Sequence, residues 1–560
     1  LYVENNYSMT IINKWSSLII DVLYENGLRH VCISPGSRNT PLSLAFLNHN
    51  NIACYSQLDE RSAGFLGLGI AMKTNSPTAI LCTSGTAVAN FLPAVIEADL
   101  NRIPILIISA DRPQSLVGTG ENQTINQNNI FNNFNRKYID IGLPNQNYND
   151  LINKLNIAYS ICSGNNVETN FLTGPVHINC SFEEPLYNDN KSTKLNFDFK
   201  PIIDHPISNS FVFEPYNNPV IICGRLKTDS DIKPILDLSK ILKIPILADP
   251  LSQIRYGHSN NNIISCYNHY IDRLEIEPDI VFYFGLKPVS KKLCEKMKSW
   301  NTILIDSANG YNNSSNFVLQ SDVFNACQLI SESIESTNGE LLLKLQKLEE
   351  DINCTVKNNI DYSWSEINIT SICYNFLNDN DNMFIGNSMP IRNMDNYIFK
   401  NDKKIFTYSN RGASGIDGVL STSLGVALSS KNNYTLLLIG DLSLLHDINS
   451  LLINNKYAIN ITIVVINNNG GGIFSLLPVS KKNNVHFSEY WTTPHNLDLR
   501  KIADSYEVNY YKSESVKELH SSLESSYSNT GISIIDCIID INENIEIIKE
   551  LNSSINKNLN

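Results

Sequence analysis

The 560-residue chain is too long for a single hydrophobic core, so two to four domains are expected. Its 42% hydrophobic and 9% aromatic content is that of a folded protein rather than a disordered one. A formal charge of -13 argues against nucleic acid as a partner, since no basic excess is present to neutralise phosphates; anion binding would need locally concentrated arginines.

The opening LYVENNYSMTIINKW starts on Leu rather than Met and lacks the basic-then-apolar pattern of a secretory leader. No apolar run approaches ~18–20 residues, so no membrane span is expected, and the location is expected to be cytoplasmic. Twelve cysteines form no CxxC pair, and several sit in apolar runs (VCIS, AILCTS, IICG). That pattern suits reduced, buried thiols better than a disulfide framework or a zinc site.

Short apolar runs alternate with amphipathic stretches, which predicts an α/β protein with three doubly wound parallel-sheet domains. The first block closes on GPVHINCSFEEP near Pro185, and YNDNKSTKLNFDFKPIIDHPISNS reads as a linker. The second block offers the strands NPVIICG, KIPILAD, PDIVFYFG and NTILID. A helical, acidic stretch around Glu332–Glu350 leads into a third block, and the tail ELNSSINKNLN is expected to fray. The domain bounds drawn from this are 1–186, 187–355 and 356–560.

The first and third blocks align at a single offset of 356 residues. GLGIAM (67–72) falls on SLGVAL (423–428), AILCTSG on TLLLIGD, and ILIISADR on ITIVVINN. A shared register over two strands and the preceding helix predicts two copies of one fold. It places Asp441 opposite Gly85 and Asn468 opposite Arg112, all just past strand C-termini, where open parallel sheets bind ligands.

In LLLIGDLSLLHDINSLL a strand ends on Asp441 and a helix over 442–452 is expected; INNNGGGIFSLLP follows the next strand, with Asn468 27 residues after Asp441. Mg²⁺ takes hard oxygen donors and completes its shell from substrate phosphates. Asp441 offers a carboxylate, Asn468 an amide oxygen and Gly470 a backbone carbonyl. The helix N-terminus and the glycine-rich backbone add N–H groups suited to a diphosphate.

GD followed at this spacing by NN is the thiamine diphosphate signature, and the forms GDLSLLHD and INNNGGGIFSLLP resemble one family in particular. The chain is similar to the 2-succinyl-5-enolpyruvyl-6-hydroxy-3-cyclohexene-1-carboxylate synthases of the menaquinone pathway. The resemblance extends over ISPGSRNTPLSLAF, LDERSAGFLGLGIA, TSGTAVANFLPAVIEA, ISADRP, GPVHIN, GNSMPIRNMD and SNRGASGIDGVLSTSLGVA, and only loosely over the middle block. It implies a pyrimidine-binding domain (1–186), a central Rossmann-like domain (187–355) and a diphosphate- and Mg-binding domain (356–560).

The resemblance also implies roles. Thiamine diphosphate and Mg²⁺ (or Mn²⁺) would be held by Ser388, Asp441, Leu442, Ser443, Asn468, Gly470, Gly471, Ile473 and Phe474. Glu60 would bond the pyrimidine N1′ and drive deprotonation of the cofactor, with Ile416, its 356-offset counterpart, as the apolar wedge. The reaction implied joins 2-oxoglutarate and isochorismate with loss of CO₂. Ser37, Arg38, Arg112, Asn122, Gln123, Arg392 and Arg411 would meet the carboxylates, with Lys291 and Lys292 entering from the middle domain and Phe474 and Leu477 forming an apolar wall. Arg392, Arg411 and Gln123 join Glu60 as the expected catalytic group. Sites shared between subunits of a homodimer, or of a tetramer built from it, are implied as well. His177 and His446 are expected to be structural. Alternatives are another thiamine enzyme, such as an acetolactate synthase or a 2-oxoacid decarboxylase, and a non-catalytic nucleotide-binding protein. A flavin-bearing carboligase is a third, disfavoured because the middle block has no G-x-G-x-x-G.

Overall fold

The computed structural model describes residues 2–164, 172–187, 216–226, 229–307, 315–360, 363–430, 432–482 and 486–559. The stretch read as a linker lies, apart from Tyr187, outside the described residues. The chain forms two compact units. One comprises Leu1–His205, Asn410–Lys431 and Asp447–Tyr457; the other comprises Pro206–Ser409, Asn432–His446 and Ala458–Asn560.

The first unit is built on a six-stranded sheet of β1 (His30–Ile33), β2 (Ala53–Ser56), β3 (Thr78–Cys82), β4 (Ile105–Asp111), β5 (Lys137–Gly142) and β6 (Val176–Ser181), in the order β2-β1-β3-β4-β6-β5. Every neighbouring pair is parallel. β3 and β4 are buried along their whole length, as unbroken apolar runs must be when helices cover both faces of a sheet. On one face Trp15, Leu18, Val22 and Leu23 of the Tyr2–Glu25 helix pack with Leu81, Leu106 and Ile108.

The second unit carries two further parallel sheets. One comprises β7 (Pro219–Cys223), β8 (Ile246–Ala248), β9 (Ile263–Ile264), β10 (Ile280–Phe284), β11 (Thr302–Asp306) and β12 (Phe317–Gln320), in the order β12-β11-β10-β7-β8-β9. The four strands read from the sequence are present; β9 and β12, both short edge strands, were not foreseen. The other comprises β13 (Asn382–Ile385), β14 (Phe406–Tyr408), β15 (Thr435–Gly440), β16 (Ile461–Asn467), β17 (Asn509–Ser513) and β18 (Ile532–Ile538), in the order β14-β13-β15-β16-β18-β17.

Strand for strand, that order repeats the order of the first sheet. At the 356-residue offset β4 falls residue for residue on β16, and β6 and β18 begin together. The helices of the repeat meet inside the first unit, where Glu60–Thr74 packs against Val419–Leu428. A Cβ on Gly69 would stand 1.9 Å from the Thr422 carbonyl oxygen, and one on Gly425 would stand 2.2 Å from that of Leu66. Leu66 and Thr422 are themselves repeat partners, so one backbone contact is made twice about a local pseudo-two-fold.

Three expectations are corrected. The tail is not frayed: it forms the Ile541–Leu559 helix, whose Leu551 and Ile555 enter a core with Leu341, Leu345, Ile352 and Val356. Their i, i+4 spacing was available, but the polar composition around it obscured the stripe. The acidic stretch is two helices, Val323–Ser333 and Glu340–Ile360, parted at Gly339 (φ +75°). The helix after Asp441 is short, Asp441–His446, followed by a 3-10 turn over Ile448–Ile453.

The Met389–Tyr397 helix is held from its C-terminal end by Arg255, which is fully buried. Its guanidinium donates to the carbonyls of Met394, Asp395 and Ile398 and pairs with the Asp395 carboxylate at 2.9 Å. The last carbonyls of a helix lack internal donors, and Arg255, from the loop after β8, supplies them. No described helix is long and apolar enough to cross a membrane.

Candidate active site

β15 and β16 are paired through Gly440 and Ile466, so Asp441 and Asn468 leave adjacent strand ends side by side. Asp441 is buried and held by three donors: Leu442 N–H to Oδ1 at 2.6 Å, and Gly470 N–H (2.8 Å) and His495 Nε2 (3.3 Å) to Oδ2. Burial raises its pKa, and those same donors oppose the rise.

The three asparagines of INNNGGG do three different things. Asn467 donates to Asp536 Oδ1 (2.9 Å) and accepts the Asn469 N–H (3.1 Å). Asn469 takes the left-handed conformation (φ 57°), which asparagine tolerates, and its side chain bonds to Asn496. Asn468 turns the other way, its Nδ2 donating to Glu366 Oε1 at 3.4 Å. Its Oδ1 is buried and has no partner. Glu366 is buried, and burial pushes its carboxyl up to about 7 against the pull of the Asn393 and Asn468 amide donors.

The glycines are required by space as well as by backbone shape. Gly470 has φ +145°, and a Cβ there would lie 2.2 Å from the Thr492 carbonyl oxygen. Its carbonyl accepts the Gly472 N–H at 3.0 Å, which leaves a second lone pair. Gly471 donates to Thr492 O at 2.6 Å. Beyond them Ile473 is half-buried, while Phe474 and Leu477 are 36% and 43% exposed on a 3-10 turn, outside the core of the unit.

A divalent cation with a diphosphate fits this arrangement. A buried amide oxygen without a donor, a buried carboxylate and a free carbonyl lone pair are hard oxygen donors carried by two adjacent strand ends. Among the described residues no group of three or more His, Cys, Asp or Glu forms a metal cluster, so an ion here would depend on this mixed set and on ligand phosphates. Leu442 and the buried Ser443 begin the short helix beside it.

Also in the second unit, Ser388 has φ 73° and starts the Met389–Tyr397 helix, and Arg392, one turn on, folds back to donate to its carbonyl. Arg392 lines a cavity of about 480 Å³ together with Arg273, Lys291, Lys292, Asp395 and Tyr397. Lys292 pairs with Asp272 (2.8 Å) and donates to the Asn268 carbonyl, whereas Lys291 is largely solvated.

The first unit carries Ser37, Arg38, Glu60, Arg112, Asn122, Gln123, Arg411 and Ile416. Glu60 is half-buried in the first turn of its helix, capped by Asp59, and accepts from Asn90 Nδ2 at 3.4 Å. Arg38 is buried, donating to Phe182 O (3.0 Å) and pairing with Glu184 (3.1 Å). Burial lowers its pKa, and the charge of Arg112 lowers it further, so the two guanidiniums are neighbours. Arg112 bonds to Ser84 Oγ (2.6 Å) and to Gln123 O (3.1 Å), which ties the Gln123 loop to it, and Ser37, Asn122 and Gln123 are exposed. The loop bearing Arg411 is clamped by the buried Glu97, whose two oxygens accept the Gly412 and Ala413 N–H groups at 2.7 Å each. Ile416 is 39% exposed and lies ahead of the Val419–Leu428 helix, whereas its counterpart Glu60 is helical.

His177 is buried in β6 against Ser109 Oγ (2.7 Å), and burial lowers its pKa to about 3. His446 is exposed at the end of its helix. The histidine that does touch the site, His495, was not singled out from the sequence, nor were Glu366 and Glu97. No motif marks His495 or Glu366, and Glu97 stands within the matched run TSGTAVANFLPAVIEA without its partner being legible there, because each reaches its partner across a long sequence separation.

Residues 13–130 match the family described as "Thiamine pyrophosphate enzyme, N-terminal TPP binding domain", residues 207–385 the "Middle domain of thiamine pyrophosphate", and residues 389–537 the "Thiamine pyrophosphate enzyme, C-terminal TPP binding domain". Proteins named 2-succinyl-5-enolpyruvyl-6-hydroxy-3-cyclohexene-1-carboxylate synthase are similar along nearly the whole chain. That of Bacillus pumilus is 33% identical, covering 96% of this chain and 95% of its own length. That of Staphylococcus epidermidis is 35% identical, covering 93% and 94%. With its strand ends, glycine cradle and three matched domains, the chain belongs to the family of 2-succinyl-5-enolpyruvyl-6-hydroxy-3-cyclohexene-1-carboxylate synthases.

Proposed function

We propose that the protein is a transferase that uses thiamine diphosphate to join 2-oxoglutarate to isochorismate with loss of CO₂, forming 2-succinyl-5-enolpyruvyl-6-hydroxy-3-cyclohexene-1-carboxylate for menaquinone synthesis in the cytoplasm. The observation that carries this reading is the partnerless buried Oδ1 of Asn468 beside Asp441 and the bare Gly470 backbone.

Asp441, Asn468 and the Gly470 carbonyl are the oxygen donors to Mg²⁺, with Mn²⁺ an acceptable substitute. Ser388, Leu442, Ser443 and Gly471 hold the cofactor around them. Thiamine diphosphate, when bound, supplies a carbon nucleophile for the 2-oxo acid and an electron sink for the decarboxylation. Glu60 holds a proton between its carboxyl and the pyrimidine N1′, and Ile416 supports the cofactor from its apolar side. Ile473, Phe474 and Leu477 would keep water and stray protons from the reacting carbon. Arg392 and Arg411 take the carboxylates of 2-oxoglutarate, and Arg38 and Arg112 those of isochorismate; bidentate guanidinium contacts suit both. Ser37, Asn122, Gln123, Lys291 and Lys292 complete the polar lining, with Gln123 close to the reacting atoms. On this reading residues 1–186 bind the pyrimidine, 187–355 form the central domain and 356–560 bind the diphosphate and metal.

The test is CO₂ release from 2-oxoglutarate with thiamine diphosphate and Mg²⁺, with and without isochorismate. Turnover that requires isochorismate and fails with pyruvate is expected; equal turnover with pyruvate overturns the assignment.

Self-association belongs to the same proposal, with Glu60 of one copy serving Asp441 and Asn468 of another. The exposed Leu58, Phe474, Leu476 and Leu477 support it, since they flank the expected site residues and lack a core to enter. Glu60→Gln and Asp441→Ala chains, each inactive alone, are expected to regain about a quarter of wild-type activity when co-expressed, from random pairing. No recovery would place both residues in sites formed within one chain.

A further inference from the structure

We propose that Glu366 is a positioning residue that sets the polarity of the Asn468 amide, so that its oxygen and not its nitrogen faces the metal. The inference rests on the proposed role of Asn468 as a ligand. The two ends of an asparagine amide have nearly the same shape and exchange by a flip, yet only the oxygen can bind a cation. A bare NNGG segment does not choose between them.

The fold makes the choice. Oε1 of Glu366 takes the Asn468 Nδ2 at 3.4 Å, and Oε2 takes the Asn393 Nδ2 at 3.4 Å, so both oxygens meet amide donors. Glu366 is itself fixed: its N–H donates to Asn544 Oδ1 at 2.9 Å, and it opens the helix Glu366–Phe376, which Ser365 caps. A flipped Asn468 would set oxygen against oxygen in a buried space, leaving acceptors without donors. Gly472 closes the other side. A Cβ there would lie 2.5 Å from Asn468 Nδ2, so the side chain reaches Glu366 only because residue 472 is bare. The consequence is the partnerless Oδ1, turned away from Glu366. Groups that orient a metal ligand in this way are typically worth 10–100-fold in affinity.

The test measures Mn²⁺ binding to the full chain with saturating thiamine diphosphate, by electron paramagnetic resonance of the free ion, alongside the thermal midpoint without metal. Glu366→Gln is nearly isosteric and is expected to weaken Mn²⁺ binding about 10–100-fold with the fold intact, because glutamine permits either amide orientation. Adding Asn468→Asp is expected to restore affinity to within about threefold of wild type: the glutamine amide introduced at position 366 then donates to one carboxylate oxygen and leaves the other for the metal. A purely structural role for Glu366 would not be rescued this way. Gly472→Ala, which leaves Glu366 untouched, is expected to weaken binding in the same direction and decides the matter if Glu366→Gln does not fold. Wild-type Mn²⁺ affinity in Glu366→Gln and Gly472→Ala, while Asn468→Ala loses it, overturns the inference alone. Retained affinity in Asn468→Ala overturns the metal reading and this inference with it.

Discussion

Glu60→Gln is expected to lower turnover by about 10²–10⁴-fold while thiamine diphosphate affinity stays within about threefold of wild type. The carboxyl is asked for one thing, exchange of a proton with the pyrimidine N1′, and a primary amide of the same shape cannot do it. The substitution is otherwise mild. Asp59, not Glu60, caps the helix, accepting the Arg61 and Ser62 N–H groups, and Asn449 Nδ2 braces Asp59 at 2.7 Å. The replacement amide retains an oxygen to accept the single 3.4 Å bond from Asn90. CO₂ release and calorimetric titration of the cofactor separate the two effects. Loss of cofactor binding at unchanged thermal midpoint would show that Glu60 anchors the cofactor rather than handling its proton.

Gly69→Ala is expected to destabilise the protein by roughly 3–5 kcal/mol, against the roughly 1 kcal/mol gain that helix propensity alone assigns to Gly→Ala. The new Cβ would stand 1.9 Å from the Thr422 carbonyl oxygen and 3.0 Å from the Val426 nitrogen. Both are backbone atoms of a helix and cannot rotate aside, so the helices must part along their length. Gly425→Ala meets Leu66 O in the same way, at 2.2 Å, and is expected to behave alike. Gly67→Ala is the control: its Cβ would meet the Ile80 Cγ2 at 2.6 Å, a side-chain atom rather than helix backbone, so a smaller loss is expected. Thermal unfolding midpoints of the three variants decide it. A Gly69→Ala protein as stable as Gly67→Ala would mean that the helix contact gives way easily.

The duplication was legible because both copies keep the same strand-to-helix register. The 356-residue offset foresaw β4 on β16 and the helix pair, though not that the paired helices would touch through Gly69 and Gly425. A glycine in a helical pattern reads as a defect until the helix it must approach is known. The short β9 and β12 carried too little pattern to be seen, and the tail helix was hidden because its Ile548, Leu551, Ile555 and Leu559 stand among polar residues.

By itself the sequence determined the α/β class, the repeat, and the pairing of Asp441 with Asn468, since spacing along alternating strands and helices dictates which strand ends are neighbours. It also marked Arg38, Arg112, Arg392 and Arg411 as motif arginines in an acidic chain. It did not separate Asn468 from Asn467 and Asn469 by chemistry. That separation came from Asp536, Glu366 and Asn496, which bond to Asn467, Asn468 and Asn469 respectively. Nor did it disclose His495 on Asp441 or Glu97 beneath the Arg411 loop. Spacing along the chain records local geometry, whereas the direction of an amide or a carboxylate is set by partners that only the folded backbone brings within hydrogen-bonding distance.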